Sequence, residues 1–487
     1  MPLAQEILRT LLRHPFRVAT IDDRGPRKGI ELIVGALHLA ELIERRSRSQ
    51  TVGIMLPTGA GMPVASLAVW MLGRTVVPLN YVLKPEELQY VIDDCGTDIV
   101  ITAQAFLDAV NQSPSVPNLV KLDRIPFSGA PEPRWPVRVS EDDLAVLLYT
   151  SGTSGKPKGV MLTHRNILSN IKQCLDWVHF TDRDVLLGVI PQFHSFGLTV
   201  LTLLPLVTGC RAIYTAKFVP NKIIKLMREH RPTAFVGIPS MYNALLHLKD
   251  ATPDDFRSLR LPISGGEPLP AAVLEAFEAR FGIRLCEGYG LTETSPVTNV
   301  CRPEEWRQGS VGRPVPGVHE RIIDLDTGRD LPPGHDGEIR IAGPNVMRGY
   351  FNLPKETAAA FDSDGYFRTG DIGQLDSDGF LKITGRLKEM LIVAGENVFP
   401  REIEDVLNRH PAVRDSGVVG ASDPMRGEIP IAFVEMNEGA PFDEREILDW
   451  CRERLAGYKV PREVRSLHAL PRNPTGKIMR RELKKMI

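Results

Sequence analysis

Strand-like and helix-like segments alternate along most of this chain, and that alternation limits the available folds more than any other feature of it. It is the signature of an α/β architecture. Residues 51–56 read as a buried strand, residues 61–72 as the helix after it, and residues 76–79 as a second short strand. Residues 144–149 form a third buried strand that leads into an unusual loop. Residues 261–264 form another, followed by Gly265-Gly266 and a helix that begins near Pro270 and stops at Gly282. Six prolines fall within residues 113–136, which read as a surface connection. After about residue 310 the character changes: Gly, Asp and Pro punctuate short strands at 337–341, 365–367 and 379–383, the pattern of a small β-rich subdomain. From Gly385 a separate α+β pattern starts, with a helix at 400–409, a strand at 429–436 and a helix at 444–455. No internal repeat is present, which excludes a solenoid or propeller. The 487 residues suffice for about two to four folding units and a cleft between them.

Composition narrows the class. Apolar residues make up 43% and charged residues 24%, ordinary for a globular protein and too apolar for disorder. Lys plus Arg total 59 against 60 Asp plus Glu, so no global charge points to nucleic acid or to an acidic lipid surface. Six scattered cysteines without a Cys-x-x-Cys pair read as reduced thiols packed in cores, and no His-Glu-x-x-His occurs. The first residues, Met1-Pro2-Leu3-Ala4-Gln5-Glu6, lack the basic start and apolar stretch of a signal peptide. The apolar run at 196–210 is interrupted by Thr, Gly and Pro205, and falls short of the ~20 residues a membrane span needs. A cytoplasmic enzyme or binding protein is the expectation.

The chemistry concentrates first in Tyr149-Thr150-Ser151-Gly152-Thr153-Ser154-Gly155-Lys156-Pro157-Lys158-Gly159. Directly after a buried strand it supplies four small hydroxyls, three glycines and two lysines. Glycines let backbone N–H groups turn toward an anion, hydroxyls add hydrogen bonds, and lysines add charge. It is not a Walker A loop, because Pro157 follows Lys156 and no Ser or Thr opens a helix there. Residues 159–162 read as another strand, so the loop is a strand–loop–strand phosphate cradle.

This loop resembles the nucleotide-binding signature of the adenylate-forming superfamily: acyl-CoA synthetases, adenylation domains of peptide synthetases and beetle luciferases. The remaining signatures follow in the family's order and span nearly the whole chain. His194, in Pro191-Gln-Phe-His-Ser-Phe-Gly197, resembles the residue that borders the acyl carboxylate. Amino-acid-activating relatives place an Asp there to meet an ammonium, so an amino-acid substrate is disfavoured. Ser264-Gly265-Gly266-Glu267-Pro268 resembles the loop along which adenine and acyl group lie, with Gly266 and Glu267 toward the nucleotide and Gly265 toward the acyl group. Glu267 departs from the small residue many acyl-CoA synthetases carry, and either faces solvent, the favoured reading, or selects a polar substrate. In Gly288-Tyr289-Gly290-Leu291-Thr292-Glu293-Thr294, Tyr289 resembles the aromatic that stacks on adenine and Thr292 an α-phosphate ligand. Glu293, with Thr153, resembles the Mg²⁺ ligand. Gly288 and Gly290 line the nucleotide, and Gly290 also the acyl path. Asp371 resembles the carboxylate that holds both ribose hydroxyls. Arg386 would contact ribose or phosphate, and Lys388 would be the hinge. Ala394 and Gly395 resemble the wall of the pantetheine tunnel. Lys477, in Pro474-Thr475-Gly476-Lys477-Ile478, resembles the catalytic lysine.

The resemblance implies a large domain over 1–385, built of two α/β subdomains and a β-rich one, a hinge at 386–390, and a small mobile α+β domain over 391–487. It implies ATP-dependent activation of a carboxylic acid to an acyl-adenylate, then transfer to the thiol of CoA with release of AMP and pyrophosphate. Mg²⁺ would be the cofactor, with His194, Glu293 and Lys477 at the chemistry. A medium- or long-chain fatty acid is the expected acid. The apolar run at 196–206 suits a wall for an aliphatic chain and equally suits a core helix. Transfer to an acyl carrier protein is an alternative, although no room for the insertion typical of acyl-AMP ligases is seen. A non-catalytic nucleotide or fatty-acid sensor ranks last, because Glu293 and Lys477 are both present. No nucleic-acid partner is expected. Peripheral membrane association stays open for an acid that partitions into lipid, though no amphipathic anchor stands out.

Overall fold

The computed structural model describes residues 1–125, 129–150, 156–472 and 478–487. Three sheets build the large N-terminal domain. The seven-stranded sheet runs Gly349–Tyr350, Lys158–Thr163, Leu144–Thr150, Thr75–Pro78, Thr51–Ile54, Ile99–Thr102, Asn118–Lys121. Its members from Leu144–Thr150 onward are parallel, and Lys158–Thr163 turns back antiparallel. The eight-stranded sheet runs Val297–Val300, Cys286–Gly290, Leu261–Gly265, Ala234–Gly237, Val185–Gly188, Arg211–Tyr214, Val18–Asp22, Gly25–Lys28. Its six inner strands are parallel, with antiparallel strands on both flanks. Parallel strands are covered on both faces, which is why Thr75–Pro78, Ile99–Thr102 and Ala234–Gly237 are buried at every residue.

The helix His164–Val178 joins the layers. Thr163 caps it by accepting from the Asn166 N–H at 3.1 Å, while Asn166 Oδ1 accepts from the Thr163 N–H at 3.0 Å. Further along, Asn170 holds Val297 through both backbone groups, accepting from its N–H (3.1 Å) and donating to its carbonyl (2.6 Å). The loop before Val297 therefore has a fixed seat.

The third sheet is antiparallel, in the order His319–Ile323, Gly337–Ala342, Phe367–Leu375, Leu381–Arg386. Two of its strands begin later than the sequence pattern predicts, for one reason. Both 362–365 and 376–379 read Asp-Ser-Asp-Gly. In each turn the first Asp takes two backbone N–H groups on its Oδ1 and the Gly adopts positive φ (81° and 80°). Gly365 and Gly379 thus belong to turns, and the strand between them is nine residues long with Asp371 at its centre.

Arg386 ends that sheet, Leu387–Glu389 makes a single 3₁₀ turn, and Leu391–Val393 opens a different sheet. The small C-terminal domain pairs Glu396–Val398, Leu391–Val393, Gly427–Met436 and Val413–Asp423, with Glu463–Leu467 parallel to Gly427–Met436. Its helices Pro400–Leu407 and Glu444–Arg452 are shorter than the sequence suggests. Two other segments differ from expectation. Residues 113–136 contain a strand, Asn118–Lys121, at the edge of the seven-stranded sheet. The apolar run after Phe196 is π-helical over Gly197–Leu203 before Leu204–Thr208 continues as α-helix, and both are core. Among the described residues no helix is long and apolar enough to cross a membrane.

Candidate active site

A cavity of about 2000 Å³ opens where the carboxyl ends of the parallel strands meet the C-terminal domain. Thr150 and Lys158 stand on its wall as register partners at the ends of two antiparallel strands, so the loop between them leaves and returns at one place. Ser151, Gly152, Thr153, Ser154 and Gly155 lie outside the described residues. The two lysines of the loop sit over aromatic rings, Lys156 Nζ 5.4 Å from the Tyr90 centroid and Lys158 Nζ 5.2 Å from that of Tyr350.

Tyr350 links the cradle to the acid. Its hydroxyl donates to Glu293 Oε1 at 3.0 Å, so cation, ring and carboxylate stand in a row. Burial raises the Glu293 carboxyl above the usual range, and the Tyr350 hydrogen bond opposes that shift. No group of three or more His, Cys, Asp or Glu placed to hold a metal ion occurs among the described residues. A divalent cation at this wall would be held by a single carboxylate together with substrate oxygens, the usual manner of Mg²⁺, and Glu293 fits that demand.

Asp371 and Arg386 face each other across neighbouring strands. The Asp371 side chain is only 4% exposed and takes Arg386 Nε on Oδ1 at 2.8 Å. Its Oδ2 accepts from the Tyr289 hydroxyl at 2.8 Å. The ring of Tyr289 is thereby fixed against the cavity, and Asp371 keeps the Arg386 guanidinium charged. Gly290 is required by packing: a Cβ there would lie 2.0 Å from the Pro296 carbonyl oxygen. At Gly288 a Cβ would meet nothing closer than 3.6 Å, so side-chain space does not explain that residue.

Thr292 donates to Ser195 Oγ at 3.1 Å, which ties the glycine-rich strand to the segment holding His194. His194 Nδ1 accepts the Phe196 N–H at 3.4 Å. Gly265, Gly266 and Lys388 also line the cavity, as does Glu267, which is half-buried with Oε1 shielded from solvent rather than facing solvent as expected. Lys477 lies outside the described residues. The residues flanking its segment, Arg472 and Ile478, form a bridge and both reach the cavity wall. Ala394 and Gly395 are not brought there. They form the exposed turn between Leu391–Val393 and Glu396–Val398, with φ of 53° and 86°.

Sequence reasoning passed over Tyr350, Ser195 and Glu287. Tyr350 sits on a two-residue strand against Lys158–Thr163, a placement no local pattern announces. Glu287 lies on the cavity wall beside Arg401 and Asp405 of the C-terminal domain and accepts the Leu269 N–H at 3.1 Å. Burial pushes its carboxyl up to about 7, against the pull of Arg401.

Residues 33–351 match the AMP-binding enzyme family, and residues 402–477 match the AMP-binding enzyme C-terminal domain. The chain belongs to the AMP-binding enzyme family. The long-chain-fatty-acid–CoA ligase of Bacillus subtilis is 34% identical to it, with 99% of this chain and 95% of that protein covered. The sulfoacetate–CoA ligase of Cupriavidus necator is 36% identical, with 89% and 87% covered. ATP-bound MatB from Rhodopseudomonas palustris superposes with a TM-score of 0.91 at 33% identity, covering 100% and 99% of the two chains, whereas apo MatB gives 0.82. This AMP-binding enzyme is an acid–thiol ligase: it adenylates a small-molecule carboxylic acid with ATP and forms the thioester with CoA. Its overall arrangement is nearer to that of the ATP-bound relative than to the apo one.

Proposed function

We propose that this ligase activates a medium- or long-chain fatty acid in the cytoplasm and delivers it to CoA. One observation carries the reading. Near His194 and Gly265 the cavity wall includes the apolar side chains of Val200, Ile263, Val297, Val236 and Leu204. No charged side chain among those residues would meet a second acidic group of a polar acid. An aliphatic tail gains about 0.8 kcal/mol per buried methylene along such a wall.

In the first half-reaction a carboxylate oxygen attacks the α-phosphorus of ATP, the P–O bond to pyrophosphate breaks, and the acyl-adenylate forms. Bringing two anions together is the main difficulty, so positioning and charge neutralisation dominate. Lys477 would bridge the carboxylate and the α-phosphate. Lys156, Lys158 and the hydroxyls of Thr150, Ser151, Thr153 and Ser154 would hold the phosphates, with the backbone of Gly152 and Gly155. Thr292 would donate to the α-phosphate, Tyr289 would stack on adenine beside Gly266, Glu267 and Gly288, and Asp371 with Arg386 would hold the ribose. Glu293 and Thr153 would hold Mg²⁺, which when bound screens the charge of the β- and γ-phosphates. In the second half-reaction the CoA thiol adds to the acyl carbonyl, loses its proton and expels AMP. Rotation at Lys388, between a domain ending at 385 and one starting at 391, would withdraw Lys477 and bring Ala394 and Gly395 to the thiol path.

The test is AMP release and thioester formation across a ladder of fatty acids, with free CoA and holo acyl carrier protein as rival acceptors. CoA thioester with a straight-chain acid is expected, and AMP release only with the carrier protein would refute the acceptor. Lys477→Ala is expected to abolish adenylate formation and to spare thiolysis of supplied acyl-adenylate. Equal loss of both half-reactions would remove Lys477 from its role.

A further inference from the structure

The apolar stretch of the cavity wall bounds a bore of measurable depth. Val185–Gly188, Ala234–Gly237 and Leu261–Gly265 are parallel neighbours whose register aligns Leu186 with Ala234 and Leu261, and Gly188 with Val236 and Ile263. Leu186, Ala234, Val236, Leu261 and Ile263 of these rungs line the cavity, with the Leu201 side chain over Gly188 and the Phe196 ring over Gly265 at the end nearer the chemistry. Gly265 and Leu261 are four residues apart, a span of about 13 Å at the rise of a parallel strand. With bonds near 1.5 Å at tetrahedral angles an extended alkyl chain advances about 1.25 Å per carbon, so the bore holds about ten carbons beyond the carboxylate.

Beyond the Leu186–Ala234–Leu261 rung the bore meets Phe180, two residues past the end of the helix His164–Val178 and itself buried. Behind the ring stands Arg260, whose guanidinium lies 5.6 Å from the ring centroid. It donates to the carbonyls of Val178 (3.0 Å) and His179 (3.1 Å), and to Asp184 at 2.9 and 2.7 Å. Asp184 also accepts from the Thr181 N–H (2.8 Å) and the Thr233 hydroxyl (2.7 Å), so the plate behind Phe180 is hydrogen-bonded in place. A methyl end pushed past Phe180 would have to break into charged and backbone groups already paired, which is costly.

We propose that Phe180, backed by Arg260, closes the acyl bore and sets the preferred substrate at about ten to twelve carbons. This deepens the fatty-acid reading and rests on it.

The experiment is kcat/KM for AMP release with CoA and even-numbered saturated acids from hexanoate to octadecanoate, on the wild-type chain, Phe180→Ala and Ala234→Leu. The quantity compared is the ratio between acids within each protein, which does not depend on the fraction folded. In wild type, kcat/KM is expected to climb about fourfold per methylene up to the floor and to drop at least tenfold by hexadecanoate. Phe180→Ala moves the break longer by about two to four carbons, the reach of the removed ring. Ala234→Leu fills the far rung and moves the break shorter. If wild type turns over hexadecanoate as well as decanoate, the floor is overturned and the fatty-acid reading stands. An unchanged break in Phe180→Ala also overturns it. If no straight-chain acid is used, the fatty-acid reading falls and takes the floor with it.

Discussion

A single methyl group at Gly385 tests how the two domains are coupled. Gly385 is buried near the end of the strand Leu381–Arg386, and a Cβ there would stand 2.6, 2.8 and 2.9 Å from Cδ1, Cγ and Cβ of Phe399. Carbon pairs settle at about 3.5–4.0 Å, so Phe399 would have to withdraw by about 1 Å. Phe399 precedes the helix Pro400–Leu407, which packs on that same strand from the C-terminal side of the 3₁₀ turn Leu387–Glu389. The crowding therefore falls on this arrangement of the domains, the one nearer to the ATP-bound relative. Overpacking of this kind costs about 1–3 kcal/mol, which lowers the equilibrium constant favouring this arrangement by roughly 5- to 150-fold. ATP–pyrophosphate exchange reads the adenylation half-reaction, and single-turnover mixing of supplied acyl-adenylate with CoA reads the other. Gly385→Ala is expected to slow exchange by up to that factor and to leave thiolysis at the wild-type rate or faster. Phe399→Ala in the same chain removes the two closest contacts, leaves only the one with Cβ, and should restore exchange in large part, a coupling that the double-mutant cycle isolates. Equal losses in both half-reactions, or no rescue by Phe399→Ala, would refute the reasoning.

The alternation of segments was enough to expect an α/β chain with a β-rich insertion and a separate C-terminal unit, because parallel strands that are buried on both faces leave short apolar runs in the sequence. Boundaries failed where turn chemistry overrode the run: Asp362 and Asp376 gather backbone N–H groups and turn Gly365 and Gly379 out of the strands. The N-terminal helix Leu3–Arg13 and the hairpin Val18–Asp22 and Gly25–Lys28 are absent from the sequence reading; Val18–Asp22 joins its sheet through Arg211–Tyr214, far along the chain. The site divides in the same way. Asp371, Tyr289 and Arg386 were named only through their likeness to the family's motifs, and the structure brings the three side chains together on the cavity wall. Tyr350, Glu287 and Phe180 reach the cavity wall from different parts of the chain, and spacing carries no trace of that.

Two further perturbations test the groups that sequence reasoning missed. Tyr350→Phe keeps the ring beneath Lys158 and removes the hydroxyl that donates to Glu293. The Mg²⁺ concentration needed for half-maximal exchange should rise about 10- to 100-fold, as for other partners of metal ligands, and an unchanged Mg²⁺ titration would dismiss the link. Glu287→Gln keeps the acceptor for the Leu269 N–H and removes a carboxyl that burial pushes up from 4.5 to about 7. A folded-state value above the unfolded one means the native chain binds the proton more tightly, so the wild type loses stability as pH rises from 4.5 through 7. The glutamine variant has no such loss and should be the more stable protein at pH 8, by up to about 3 kcal/mol. That advantage should shrink steadily toward pH 5. Urea unfolding of both proteins at pH 5 and pH 8 decides it: a stability difference independent of pH would show that Glu287 is charged in the native protein, held so by Arg401 across the domain boundary.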